Sequence, residues 1–347
     1  MTDSYQNSQG TSMSFTTTKN TSISELLRTE SANRDIDWLK DSLNAAIELE
    51  LATLPPYLCA WWSIKDNNET AAKLIRTVLM EEMLHMGLVA NMLTTIGGTP
   101  KINSVLPSYP GHLPGGVRPQ LTVYLAGLSK TYLDEVCKQI EYPESGPIAF
   151  FAGETYPTIG AFYDAILVAF QELKPAMSGA NQLTDNSIGG HELYAINTLA
   201  DVEKAITEIK VQGEGTALSP DAEGFGGELA HYYKFDEISH GRKLIQVDGV
   251  WRYAGDVVTF PDTYPMAQVP EGGWQNPSPE VSALLNQFNS AFKAVLDELE
   301  LAWTTGNQDK LGSAIGLMFS LKTPAIQLMQ ISLPDGSGNY GPDFLIY

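Results

Sequence analysis

Cysteine is scarce in this chain of 347 residues: Cys59 and Cys137 are the only two. Two thiols cannot build a disulfide scaffold or a cysteine-rich zinc module. They suit a reducing compartment, so a cytoplasmic location is expected. Basic residues are few as well, 21 against 41 acidic ones, for a formal net charge of −20. Such a surface repels phosphate backbones and anionic lipid, which argues against nucleic acid and membrane surfaces as partners. No uninterrupted apolar run approaches about 18 residues, so no membrane-spanning helix is expected. The first residues hold no basic segment followed by an apolar run, so no signal peptide is expected either.

Apolar residues make up 43 % of the chain, enough for a sizeable core at this length. The stretch 1–33 is rich in Ser, Thr and Asn and reads as a flexible arm. A helical pattern begins near Asp35 and runs to about Ile64, with Leu43, Ile47, Glu50 and Leu54 on one face. Pro55 and Pro56 predict a kink or break within it. A second helix is predicted from about Glu69 to Ile96, with the stripe Ile75, Val78, Glu82, His85, Val89, Met92 and Ile96. Gly97, Gly98 and Pro100 stop it. A long loop rich in proline and glycine follows, from Lys101 to Pro119. Further helices are predicted over Leu121 to Ile140, Thr158 to Leu173, Asp201 to Gly213, Gly226 to Lys243, Ser278 to Thr305 and Asn307 to Ile331. Glu141 to Glu144 reads as a turn, and Val247 to Gly273 as loop or short strand.

The informative residues are polar ones inside apolar stripes, because a buried carboxylate is normally neutralised, paired or bound to metal. Glu50 lies on the apolar face of the first helix. Glu82 and His85 lie on that of the second, and a Glu-x-x-His spacing points both side chains the same way over one turn. The spacing recurs at Glu228 and His231, flanked by Tyr232, Tyr233 and Phe235. A glutamate from each of two helices with a Glu-x-x-His from each of two others is the di-metal carboxylate arrangement of helical bundles. Mixed carboxylate and imidazole ligands suit iron, with manganese as the second candidate. The missing glutamate has three candidates. Glu214, between Gly213 and Gly215, is favoured, and Glu208 and Glu154 are the alternatives. Glu237 and His240 form a rival pair on the opposite face of the last of these helices. They are read as a solvated pair or as props for a ligand. His112 reads as an exposed turn histidine.

Several longer runs carry a family resemblance: Ala46 to Ala60, Glu81-Glu82-Met83-Leu84-His85-Met86, Tyr109 to Gly116, Gln212-Gly213-Glu214-Gly215, Ala230 to Phe235, and Gly341-Pro342-Asp343-Phe344. They resemble the ferritin-like domain of iminophenylpyruvate dimer synthases, over roughly residues 36 to 347. The resemblance implies an all-α fold, a ferritin-like four-helix bundle with additional helices and long ordered loops. The domain would span 34–347 with a C-terminal helical extension. Family members take part in bisindole pigment biosynthesis, where imines of aromatic amino acids are oxidatively coupled, though those enzymes are much longer chains. Carried over by motif, Glu50, Glu82, His85, Glu214 and His231 would hold metal. Glu228 rests on its spacing.

The function expected is a di-iron oxidase or oxygenase acting on a small metabolite, of aromatic amino-acid origin. The alternatives are a non-catalytic metal-binding protein and a partner module of a biosynthetic complex. A homo-oligomer or a partner enzyme is compatible with the sequence.

Overall fold

The computed structural model of the chain describes residues 22–103, 107–143, 158–214, 219–221 and 227–346. Their architecture is all-α, as expected, with two small antiparallel hairpins. Two long helices form its spine: α2 (Ile36–Ser63) and α3 (Thr70–Thr95). Asp35 caps α2 by accepting from the Trp38 amide, which satisfies one of the free N–H groups at the helix start. Both helices are buried on nearly every side, as a helix apolar all round must be.

Of the kink or break expected at Pro55 and Pro56, the break does not occur: α2 is continuous through both. Proline removes an amide and frees the carbonyl four residues back. The carbonyl freed by Pro56 belongs to Ala52, and it accepts from the Tyr109 hydroxyl at 2.6 Å. The proline-rich loop therefore supplies the bond that the proline withholds.

Around this spine lie α4, a continuous helix over 130–140 with a π turn at Leu133–Cys137, α5 (Ile159–Leu173) and α6 (Leu199–Glu214), and α7 (His231–His240). A hairpin of two helices, α8 (Pro279–Thr305) and α9 (Gln308–Met329), packs against α2 and α3 from another side. Strands β1 (Asp185–Ile188) and β2 (His191–Leu193) lie against α3, and β3 (Arg242–Val247) and β4 (Val250–Val257) follow α7. No helix among the described residues is long and apolar enough to cross a membrane.

Three expectations need correction. The arm predicted over 1–33 is in part helical: α1 (Ile23–Arg28) starts at a capping box on Ser22 and Glu25. Ile23 and Leu26 are buried, and Trp38 Nε1 donates to the Leu26 carbonyl. The polar composition hid a two-residue apolar face. Residues 1–21 lie outside the described residues. The helix predicted from Leu121 begins only at Lys130, where Ser129 caps it. The helix predicted over Gly226 to Lys243 is restricted to α7, since Ala230 is its N-cap and Gly241 its left-handed C-cap.

Candidate metal centre

Five buried side chains from four places in the chain meet beside the spine. Glu50 comes from α2, Glu82 and His85 from α3, Glu141 from the end of α4, and His231 from the first turn of α7. They form two triads, Glu50–Glu82–His85 and Glu82–Glu141–His231. Within each triad one donor atom per residue lies within 4.8 Å of the others. Glu82 belongs to both.

The two imidazoles are arranged alike. His85 Nδ1 stands 3.8 Å from Glu50 Oε2 and 3.8 Å from Glu82 Oε1. His231 Nδ1 stands 2.7 Å from Glu82 Oε1 and 3.4 Å from Glu141 Oε2. The rings are 5.5 Å apart and nearly parallel, at 22°. Each Nε2 is held from behind, that of His85 by Gln212 Oε1 at 2.7 Å and that of His231 by Glu81 Oε2 at 3.1 Å. A ligating histidine is oriented in this way, with one nitrogen bonded to a buried acceptor and the other free for metal. His231 Nδ1 is buried without an aligned hydrogen-bond partner despite its short approach to Glu82. A buried nitrogen facing carboxylates without a bond to either suits a position where a cation would sit between them.

The carboxylates are braced too. Tyr163 donates to Glu50, and Tyr57 donates to Glu141. Thr53 Oγ1 donates to Glu82 Oε2 at 3.1 Å, leaving Oε1 toward the imidazoles. Glu81 also takes a bond from the buried ammonium of Lys234.

The electrostatics follow from this packing. Burial, then the charge of Glu82, pushes Glu50 well above the usual carboxylate range. Burial, then Glu82, also raises Glu141. Burial opposes ionisation of Glu82, but the neighbouring His231 overcomes it and holds the carboxyl down at about 2. Glu81 is held down at about 2 against the same penalty, by His231 and Lys234. Burial depresses His85 to about 4, against the pull of Glu82. Burial would depress His231 too, but the charge of Glu141 and the surrounding carboxylates raise it well above 6.5. Protons thus stand in for the positive charge that this acidic centre needs, and bound metal would displace them. The donors fit a pair of hard or borderline cations, with oxygen in excess over nitrogen and no sulfur.

A cavity of about 40 Å³ reaches Glu50, Glu82, His85 and Glu141. One water needs about 15 Å³ by the same kind of measure, so a diatomic molecule or two waters fit and an aromatic ring does not.

Of the predicted ligands, the structure brings Glu50, Glu82, His85 and His231 together. Glu228 is not among them. It precedes α7 in extended chain, is exposed, and pairs with Lys234 at 3.1 Å. Glu-x-x-His shares a face only within a helix, and here the helix starts at the histidine. The Glu214 side chain and the whole of Glu154 lie outside the described residues. Glu208 accepts from Tyr194 at 2.9 Å, away from both triads. Glu237 is buried but turned to Lys243 and the Leu244 amide, and His240 stacks on Tyr253 at 3.9 Å. His112 is exposed.

The sequence places Glu141 in a turn, and the structure places it in the centre. Leu133, Val136, Cys137 and Ile140 are all buried, and Glu141 closes that series four residues after Cys137, which was its signal. Positions 133, 136, 137, 140 and 141 follow one helical stripe, and it is Tyr142-Pro143 immediately after that reads as a turn and masks it.

A ferritin-like family model matches residues 43–240, a stretch that contains both triads. Among solved structures, a ferritin like protein from Caulobacter vibrioides is similar to this chain with a TM-score of 0.64 at 23 % identity. The similarity covers 90 % of this chain and 99 % of that one. It therefore extends past the stretch that the family model matches. No curated protein matches.

Proposed function

The chain belongs to the ferritin-like family, and we propose that it holds two metal ions, iron before manganese, and uses them as an O2- or peroxide-dependent oxidase or oxygenase. The observation that carries this reading is the shared Glu82, whose carboxylate lies in both triads. Both imidazoles approach the same oxygen, Oε1, and a carboxylate oxygen has two lone pairs, so Glu82 can serve two cations at once. When bound, a ferrous pair supplies two electrons together to an oxidant.

The protein's own part is to position and to exclude. Tyr163 and Tyr57 hold the outer carboxylates, while Gln212 and Glu81 fix the imidazole tautomers. Leu49, Ile140 and Ile209 line the small cavity with apolar surface, which keeps bulk water away and strengthens the local electrostatics. Lys234 balances Glu81, so the histidine's support does not add an unpaired charge to the interior.

The substrate under this reading is a small metabolite. An aromatic amino-acid derivative is the choice that follows from the likeness to iminophenylpyruvate dimer synthases. The cavity favours the oxidant as the species that reaches the centre directly. The test is anaerobic loading with ferrous ion followed by an oxygen-electrode trace. Loaded protein should consume O2 at least tenfold faster than free ferrous ion in the same buffer, with a further rise when a substrate is supplied. Equal rates with and without aromatic substrates would leave a metal-binding protein without oxidase activity.

A further inference from the structure

Helices α2 and α3 also wall a second, quite different space, away from the centre. There Leu54, Leu58 and Trp61 of α2 face Met80, Met83 and Met86 of α3, and the α8–α9 hairpin closes over them. The space between is about 160 Å³. An engineered apolar cavity of about 150 Å³ takes up benzene, so this one has room for an organic ligand where the metal centre has none. It reaches the surface at Phe319, whose ring is 77 % exposed.

Two features give its walls a polarity. Among the described residues, Arg76 and Lys322 are its only charged lining residues and no carboxylate lines it, although acids outnumber bases two to one in the chain. Lys322 has no acidic partner among the described residues. Its ammonium stands 5.1 Å from the ring centroid of Trp61. The Trp61 indole Nε1 is itself buried with no hydrogen-bond partner. A buried indole N–H normally finds an acceptor. Here one corner of an apolar cavity holds an unused N–H donor and an unpaired cation side by side.

We propose that this cavity binds an amphipathic monocarboxylate with a medium-length alkyl body, its head group accepting from Trp61 Nε1 and paired with Lys322. Arg76 adds positive potential from the same wall. Methionine is unbranched and polarizable, and Met80, Met83 and Met86 make a wall that adapts to a flexible chain better than to one rigid shape. Deep apolar cover with a few convergent polar groups is the usual form of a small-molecule site.

Calorimetric titration of octanoate into the full-length protein tests this, with octan-1-ol as the neutral control. Octanoate should bind once per chain, and octan-1-ol about tenfold more weakly. Trp61→Phe removes the N–H but keeps the ring, and Lys322→Gln removes the charge. Each should weaken octanoate by about three- to tenfold and leave octan-1-ol unchanged. Met318→Trp, on the half-buried outer wall, should block both ligands while circular dichroism and metal content stay as in the parent. No octanoate binding, equal binding of octan-1-ol, or octanoate binding undisturbed in a folded Met318→Trp protein would each overturn the proposal. Tighter binding of 3-phenylpropionate than of octanoate would overturn the alkyl assignment. None of these readouts depends on whether the metal centre is an oxidase.

Discussion

Glu82–His85 and Glu228–His231 have the same spacing and opposite fates. The first pair lies in the middle of α3, where both side chains are buried and face one point. The second straddles a helix start: His231 opens α7 and is buried, while Glu228 lies outside it, exposed and paired with Lys234. A motif defined by spacing is a statement about a helix, and it holds only where the helix exists. In place of Glu228, the second imidazole is served by Glu141 in front and Glu81 behind, side chains that no local spacing links to it.

The contrast between the two pairs is tested most severely at Glu82. If it serves two cations, Glu82→Gln should lower bound metal from two ions to none in an anaerobic ferrous titration, whereas replacement of an outer ligand should cost one. Loss of a single ion in Glu82→Gln would place it in one triad only.

The two histidines sharpen it next, because their environments move them in opposite directions. In metal-free protein His85 is held down to about 4 from 6.5, so the unfolded chain binds more protons between these values, and stability falls as pH drops from about 6.5 toward 4. His231 is raised, so its contribution is whole below about 6.5 and is lost as pH rises through its folded value. Urea unfolding against pH, read as each variant minus the parent, separates these two limbs from those of Glu50 and Glu141, which are raised beside them. His85→Gln should flatten the acid limb and His231→Gln the alkaline one. The acid limb should span about 3 kcal/mol or less, from ~1.4 kcal/mol per pKa unit. A profile unaltered by either change would contradict the burial and pairing described for them.

The smallest effect is expected at Glu228. Glu228→Gln should leave metal content unchanged and alter unfolding free energy by no more than about 0.5 kcal/mol, as for an exposed ion pair. Loss of an ion in that variant would return Glu228 to the centre.

Much of this centre was legible in the sequence for one reason: an acid or an imidazole on an apolar stripe is conspicuous. That picked out Glu50, Glu82 and His85, and with the aromatic neighbours it picked out His231. Glu141 escaped because it closes its stripe at the very end of α4, where Tyr142-Pro143 after it reads as a turn. The bracing residues were invisible for a different reason. Tyr163 lies 113 residues from Glu50 and Gln212 lies 127 from His85, and no local pattern joins them. The persistence of α2 through Pro55 and Pro56 likewise depends on Tyr109, a tertiary partner. The β3–β4 hairpin has a local signal. Asp248-Gly249 between alternating residues marks a tight hairpin, and both take positive φ at the β3–β4 turn.

If two cations share Glu82 and Glu141 completes the second site, elemental analysis after reconstitution with ferrous ion reads this directly as metal per chain. Two ions are expected in the parent and one in Glu141→Gln. One ion in the parent, or two in Glu141→Gln, would contradict it.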